Sequence, residues 1–202
     1  MSDILKINTG SLEGPIIEKA KIFPLVKEQD RVLSEKMPEF DFTNPPVNPN
    51  EFASALVETC KHYKGLGLSA NQCGFRYRVF VMGANDSFVA HFNPKIIEYS
   101  ENVVHMSEGC LSFPFLFLNI TRPETITVEY QDYTGATKQS TYSGLTARCF
   151  LHELDHMDGI VYTMRAKSLA LKTGLGKRDK LLHRFSKANK KIMENKLLPN
   201  KA

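Results

Sequence analysis

The stretch SGLTARCFLHELDHMDG, Ser143 to Gly159, sets Leu145, Cys149, Leu151 and Leu154 around two histidines four residues apart, His152 and His156. A serine suited to capping and a glycine suited to stopping bracket a helix here. Its apolar content places that helix, with both histidines mid-way along it, in the interior. The surrounding sequence must then supply the elements that cover it. Tyr77–Met82 (YRVFVM), Phe88–Phe92 and Glu124–Tyr130 (ETITVEY) are rich in β-branched and aromatic residues and predict strands. Asp132–Ala136 (DYTGA) supplies turn chemistry before a returning strand. Asn50–Tyr63 predicts a helix, with Phe52, Leu56, Thr59 and Tyr63 on one face, an asparagine for a cap and Gly65 just past the end. Helix, then strands, then helix argues an α+β fold and not a parallel α/β sheet.

The helical spacing also carries chemistry. His152 and His156 project from one face about a turn apart, the separation at which two imidazoles share a metal ion. Glu153, beside the first of them, can reach a water held by the metal without taking a coordination position, as the base of a metallohydrolase does. A surface helix carrying two histidines by chance is the competing reading. Two imidazoles alone rarely make a catalytic site. His62, His91, His105 and His183 are isolated in the sequence, and Cys110, in EGCLS (Glu108 to Ser112), is the better third ligand. A lone cysteine also reads as a small buried hydrophobe.

Length and charge narrow the rest. At 202 residues, 42% of them hydrophobic, the chain can bury a substantial core. Its net charge of +4 hides an asymmetry: residues 165 to 202 hold twelve Lys/Arg against two acids, and residues 1 to 164 fourteen against twenty, giving +10 and −6. Such a tail suits an anionic partner or a solvated helix face. Four scattered cysteines (Cys60, Cys73, Cys110, Cys149) do not make a disulfide framework. No apolar run is long enough for a bilayer and no secretory pattern opens the chain, so a cytoplasmic location is expected, with no membrane contact. Nor does anything predict sequence-specific nucleic-acid binding.

Three stretches together resemble the peptide deformylase family: GLGLSANQ (Gly65 to Gln72), EGCLS and HELDH, in the family's order and at similar intervals. The resemblance covers roughly residues 20 to 165 and implies a catalytic domain over 1–165, with a basic helical extension over 166–202. The implied fold has mixed antiparallel strands around a central metal-binding helix. The implied activity is hydrolysis of the formyl group from the initiator methionine of new polypeptides. Cys110, His152 and His156 would hold one divalent ion, Fe(II) in the cell with Zn, Ni or Co accepted, and Glu153 would act as general acid and base. Gln72, through its side-chain amide, and Leu111, through its backbone N–H, would stabilise the oxyanion. Gly67 would offer backbone groups to N-formylmethionyl peptides, Leu66, Cys149 and the carbon stem of Arg148 would border the methionine pocket, and Arg122 would touch substrate. Ser69 stands where the family usually has alanine and Leu151 where it commonly has glutamine, and the aromatic run Phe113–Phe117 is unusual.

Two other classes fit parts of the pattern. A metallopeptidase uses the same His-Glu-His helix but usually takes its third ligand from a His or Glu farther along, and no convincing candidate follows Gly159, since His183 lies in the basic tail. A nonenzymatic metal or ribosome-binding module would tolerate loss of Glu153 and Gln72, and both are present. In the tail, Leu181, Phe185, Ala188 and Ile192 fall on one stripe of a helix predicted over Lys180–Leu197. The resemblance implies ribosome docking for such a helix.

Overall fold

The structure, a computed structural model, describes residues 21–197, with side chains through 188; the rest of the chain lies outside it, as does the side chain of Ile192 in the expected tail stripe. Asn48 opens α1 (Pro49–His62) by accepting at its side-chain oxygen from the N–H groups of Asn50 and Glu51, a cap worth about 1 kcal/mol. Phe52, Ala53, Leu56, Thr59 and Cys60 form the helix's buried face. Seven strands follow: β1 (Gly67–Ser69), β2 (Val79–Ala84), β3 (Ser87–Tyr99), β4 (Val103–Cys110), β5 (Phe113–Pro123), β6 (Thr125–Gln131) and β7 (Thr137–Ser143). They make a five-stranded antiparallel sheet in the order β1-β2-β3-β6-β7 and a separate β4-β5 hairpin. With the helices this is the expected α+β class.

The strand predicted from Tyr77 starts at Val79 because Arg78 is used elsewhere. Its N–H donates to Pro38 O, and its guanidinium binds Pro94 O, Met157 O and Asp158. The turn after β6 is built by Asp132, whose Oδ1 accepts from Thr134 and from the N–H of Ala136.

α2 (Gly144–Met157) is the central element. Ser143 holds the N-cap position in extended conformation but makes no capping bond with its side chain. At the other end Gly159 takes φ +70, and an added Cβ would lie 2.8 Å from Ser34 O. The stop is therefore both conformational and steric. Between these ends, Ala147, Phe150, Leu151, Leu154 and Met157 pack with Phe80, Met82, Ile126 and Val128 of the sheet and with Leu116, Leu118 and Ile120 of the hairpin. Each fully buried large side chain contributes roughly 1.5–3 kcal/mol. The helix is thus wedged between sheet and hairpin, so residues on its two sides can meet groups from both.

α3 (Ser168–Leu197) runs twelve residues further toward the N-terminus than the periodicity from Lys180 predicts, through Gly174 and Gly176. Two interior glycines cost about 1 kcal/mol each relative to alanine. Gly174 is where the helix meets β5: a Cβ there would sit 2.5 Å from Leu118 Cδ2 and 3.3 Å from Leu116 Cδ1. Among the described residues no helix is long and apolar enough to cross a membrane.

Candidate active site

Cys110 ends β4 at a register shift, with Gly109 opposite Phe117 but Cys110 opposite Phe113. That irregularity brings its sulfur to the helix, 3.3 Å from His156 Nε2. The ligand atoms of Cys110, His152 and His156 all lie within 4.8 Å of one another, and all three residues are buried. A thiolate and two imidazoles at that spacing fit a first-row divalent cation and leave a fourth position free.

The imidazoles are set by what they bind on their far sides. His152 Nδ1–H donates to Glu108 Oε2 at 3.2 Å, which leaves Nε2 for the trio. His156 has no partner at Nδ1 among the described residues, but its backbone carbonyl accepts from Asn71 Nδ2 at 2.9 Å. Burial opposes a charge on His152, yet Cys110 and Glu108 outweigh it and hold its pKa up at about 10. Burial, with His152 and Arg122 adding to it, pushes His156 well below the usual histidine range. The surroundings thus favour a positive charge on His152 and oppose one on His156.

Glu108 anchors this arrangement. It accepts from Arg122 at 2.7 and 2.9 Å and from Arg148 at 2.5 Å, and Arg122 passes on to Asp155 at 2.8 Å. Burial alone would raise its carboxyl, but His152 and Arg122 hold it down at about 2.

Glu153, next to His152, turns toward a cavity of about 530 Å³ and is only 4% exposed. Burial lifts its carboxyl to about 7 against the pull of His152, the Ser69 hydroxyl and Arg122. Its Oε2 has no hydrogen-bond partner among the described residues. Its Oε1 lies so close to β1 that a Cβ on Gly67 would come within 2.5 Å of it. Gln72 shares the cavity. Its Oε1 accepts from the Ser69 N–H and hydroxyl, both at 3.0 Å, which directs Nε2 to Cys110 Sγ at 3.3 Å and Ser112 Oγ at 3.1 Å.

The family model for polypeptide deformylase matches residues 22–172, about three quarters of the sequence. The chain belongs to the peptide deformylase family. The peptide deformylase of Finegoldia magna is 37% identical over 145 residues, covering 71% of this chain and 88% of its own length. That of Thermotoga petrophila is 41% identical over 123 residues, covering 59% and 75%. Among solved peptide deformylases, the crystal structure from Thermotoga maritima aligns with TM-score 0.67 and 34% identity over 73% of this chain and 99% of that one. The Synechococcus elongatus structure, in complex with actinonin, gives TM-score 0.72 at 28% identity, covering 78% and 88%.

Of the residues that the deformylase resemblance singled out, Leu66, Gly67, Leu111, Arg148 and Cys149 line the cavity with Gln72, Cys110, His152 and Glu153. Leu66 forms an exposed lip, and the Arg148 head group is tied to Glu108, Ile120 O and Val104 O. Arg122 requires correction. It does not border the cavity; it is 5% exposed, and its guanidinium is spent on Glu108, Asp155 and Leu151 O. The role missed from sequence was that of Glu108. Two arginines that fold into the interior require a buried carboxylate, and the only acid in EGCLS supplies it. Ser112 was likewise missed.

Proposed function

We propose that the chain removes the formyl group from the N-terminal methionine of new polypeptides and releases formate, with Glu153 as acid and base. The observation that carries this reading is the buried Glu153 Oε2, without a hydrogen-bond partner among the described residues, beside the Cys110–His152–His156 trio in a cavity that Gln72 also lines. A divalent cation held by the trio would supply Lewis acidity and make water a nucleophile near neutral pH. Water adds to the formyl carbon, the C–N bond breaks, and two proton movements accompany this. Glu153 takes the proton from the attacking water and delivers it to the departing amine nitrogen. The desolvation that lifts its carboxyl to about 7 suits both halves of that task. The developing oxyanion needs donors about 3 Å away. Leu111 N–H is one, and Gln72 is the other if it turns a hydrogen from Ser112 Oγ toward the oxyanion.

The thiolate and imidazole set supports one divalent ion per chain, with Fe(II) the proposed cellular occupant and Zn, Ni or Co as replacements. The deciding experiment pairs metal analysis of anaerobically purified protein with formate release from formyl-Met peptides, for the wild type and Glu153→Gln. The wild type is expected to carry one metal per chain and release formate. Glu153→Gln should keep the metal and lose roughly a hundredfold to ten-thousandfold in kcat. A loss under about tenfold would assign the base elsewhere.

The basic tail supports a further part of the proposal, ribosome docking in the cytoplasm. Leu181, Leu182 and Phe185 stand exposed on α3 among lysines and arginines. Cosedimentation with ribosomes should weaken steeply with salt as counterions are released; salt-independent binding argues against it.

A further inference from the structure

The chemistry above leaves the run Phe113-Pro114-Phe115-Leu116-Phe117 unused, yet all five residues line the cavity. Phe117 covers Gly109 so closely that a Cβ there would sit 2.7 Å from its ring, and the ring is otherwise open to solvent. Phe115 is held in the left-handed region at φ +63. For a bulky side chain that conformation costs on the order of 1–3 kcal/mol and persists only where the surroundings impose it.

One imposing contact comes from outside the cavity. The ring of Phe185, on α3, lies against Phe115 with centroids 5.0 Å apart and planes at 31°. α3 is itself fastened down, by Gly174 against Leu118 and Leu116 and by Arg178 Nη2 against Glu28 Oε2 at 2.5 Å. Phe115 therefore has one side on a fixed helix and another on the cavity, while both rings of the pair keep much of their surface in water. At about 530 Å³ the cavity is in the range that takes drug-sized ligands, larger than one formylated residue requires. What extends past the first residue of a formylated peptide is more peptide, and an aromatic surface with exposed area left over suits an apolar side chain.

We propose that Phe185, by packing its ring against Phe115, is a positioning residue that fixes an aromatic wall selecting formylated peptides with an apolar side chain downstream of the second residue. This rests on the deformylase reading of the site. The helix would thus act on substrate choice as well as on any external partner.

The test is steady-state kinetics of the metal-loaded, full-length enzyme on formyl-Met-Ala, formyl-Met-Ala-Ser and formyl-Met-Ala-Phe, comparing wild type with Phe185→Ala, Phe185→Leu and Phe185→Tyr. The wild type is expected to show a KM for formyl-Met-Ala-Phe roughly two- to tenfold below that for formyl-Met-Ala-Ser, the worth of one aromatic contact. Phe185→Ala should erase that difference by raising the KM for formyl-Met-Ala-Phe alone, with kcat little changed. Phe185→Tyr should restore it, and Phe185→Leu should restore part. An unchanged KM ratio in Phe185→Ala, or a kcat loss shared by all three peptides, would overturn the inference. Wild-type enzyme that fails on formyl-Met-Ala sinks the deformylase reading and the inference with it. Wild-type enzyme that cleaves formyl-Met-Ala but ignores the third residue sinks the inference alone.

Discussion

Around α1 the interior is aromatic: Phe52 meets Phe23, Phe75 and Tyr77 edge-on or tilted, Phe75 and Tyr77 stack on each other, and Phe40, Phe42 and Phe92 meet edge-on or tilted, with ring centroids about 5–6 Å apart. Around α2 a mainly aliphatic cluster instead encloses Glu108, Arg122, Arg148, His152, Glu153 and Asp155, all buried. The first region gains its stability from area and ring geometry, which tolerate small displacements. The second holds charges whose desolvation is costly and is offset only if every partner is in place. Buried charge is thus concentrated where the atomic positions of a reacting site must be fixed, and the aromatic region supplies the scaffold.

The largest contrast should come from the ligands. Cys110→Ser or His152→Ala is expected to abolish both stoichiometric metal and turnover, because two remaining ligands should lose most of the affinity. Metal content is the readout; a Cys110→Ser protein with one tight metal and near wild-type rates would remove Cys110 from the trio.

Next in size is a pair of substitutions alike in cost and unlike in kind. Glu108→Gln leaves Arg148 without its carboxylate and should destabilise the fold by about 3–5 kcal/mol. It should also weaken metal binding roughly ten- to a hundredfold by giving His152 Nδ1–H at best a neutral amide acceptor in place of a carboxylate. Phe52→Ala should cost a similar 3–5 kcal/mol in denaturant yet leave metal affinity and kcat of the folded protein unchanged. Comparable metal affinities in the two variants would contradict the division between scaffold and site. Acid should separate them as well. The Glu108 carboxyl is lowered from 4.5 to about 2, so the stability it contributes is present above about pH 4.5 and is lost as pH falls toward 2. Phe52→Ala should keep that slope in unfolding free energy, and Glu108→Gln should flatten it.

The same contrast explains what the sequence revealed. α1, the core strands and α2 were legible because their buried faces are apolar at helical or alternating spacing. The β4-β5 hairpin was not, because its pattern is partly inverted: Glu108 and Arg122 point inward, while Phe115 and Phe117 are on the exposed side. His152, Glu153 and His156 could be singled out because local spacing and a short motif hold them together, whereas Cys110, far from them in sequence, was added through the deformylase resemblance. Glu108 was not assigned because its partners stand 14, 40 and 44 residues away, and Arg122 was misread as a substrate contact for the same reason. The first twelve residues of α3 fall within the helical extension that the resemblance implied but show no apolar stripe of their own, and the part played by Gly174 there is visible only when β5 is known to lie beside it.

Gly67 carries a similar omission to the centre of the site. The volume that its Cβ would occupy is already claimed by Glu153 Oε1 at 2.5 Å and Cys149 Sγ at 2.9 Å. Even the smallest side chain would require Glu153 or Cys149 to shift, so alanine, elsewhere the mildest of replacements, would move the carboxyl that the site holds in place. A residue with no side chain of its own thus sets where the Glu153 carboxyl can stand.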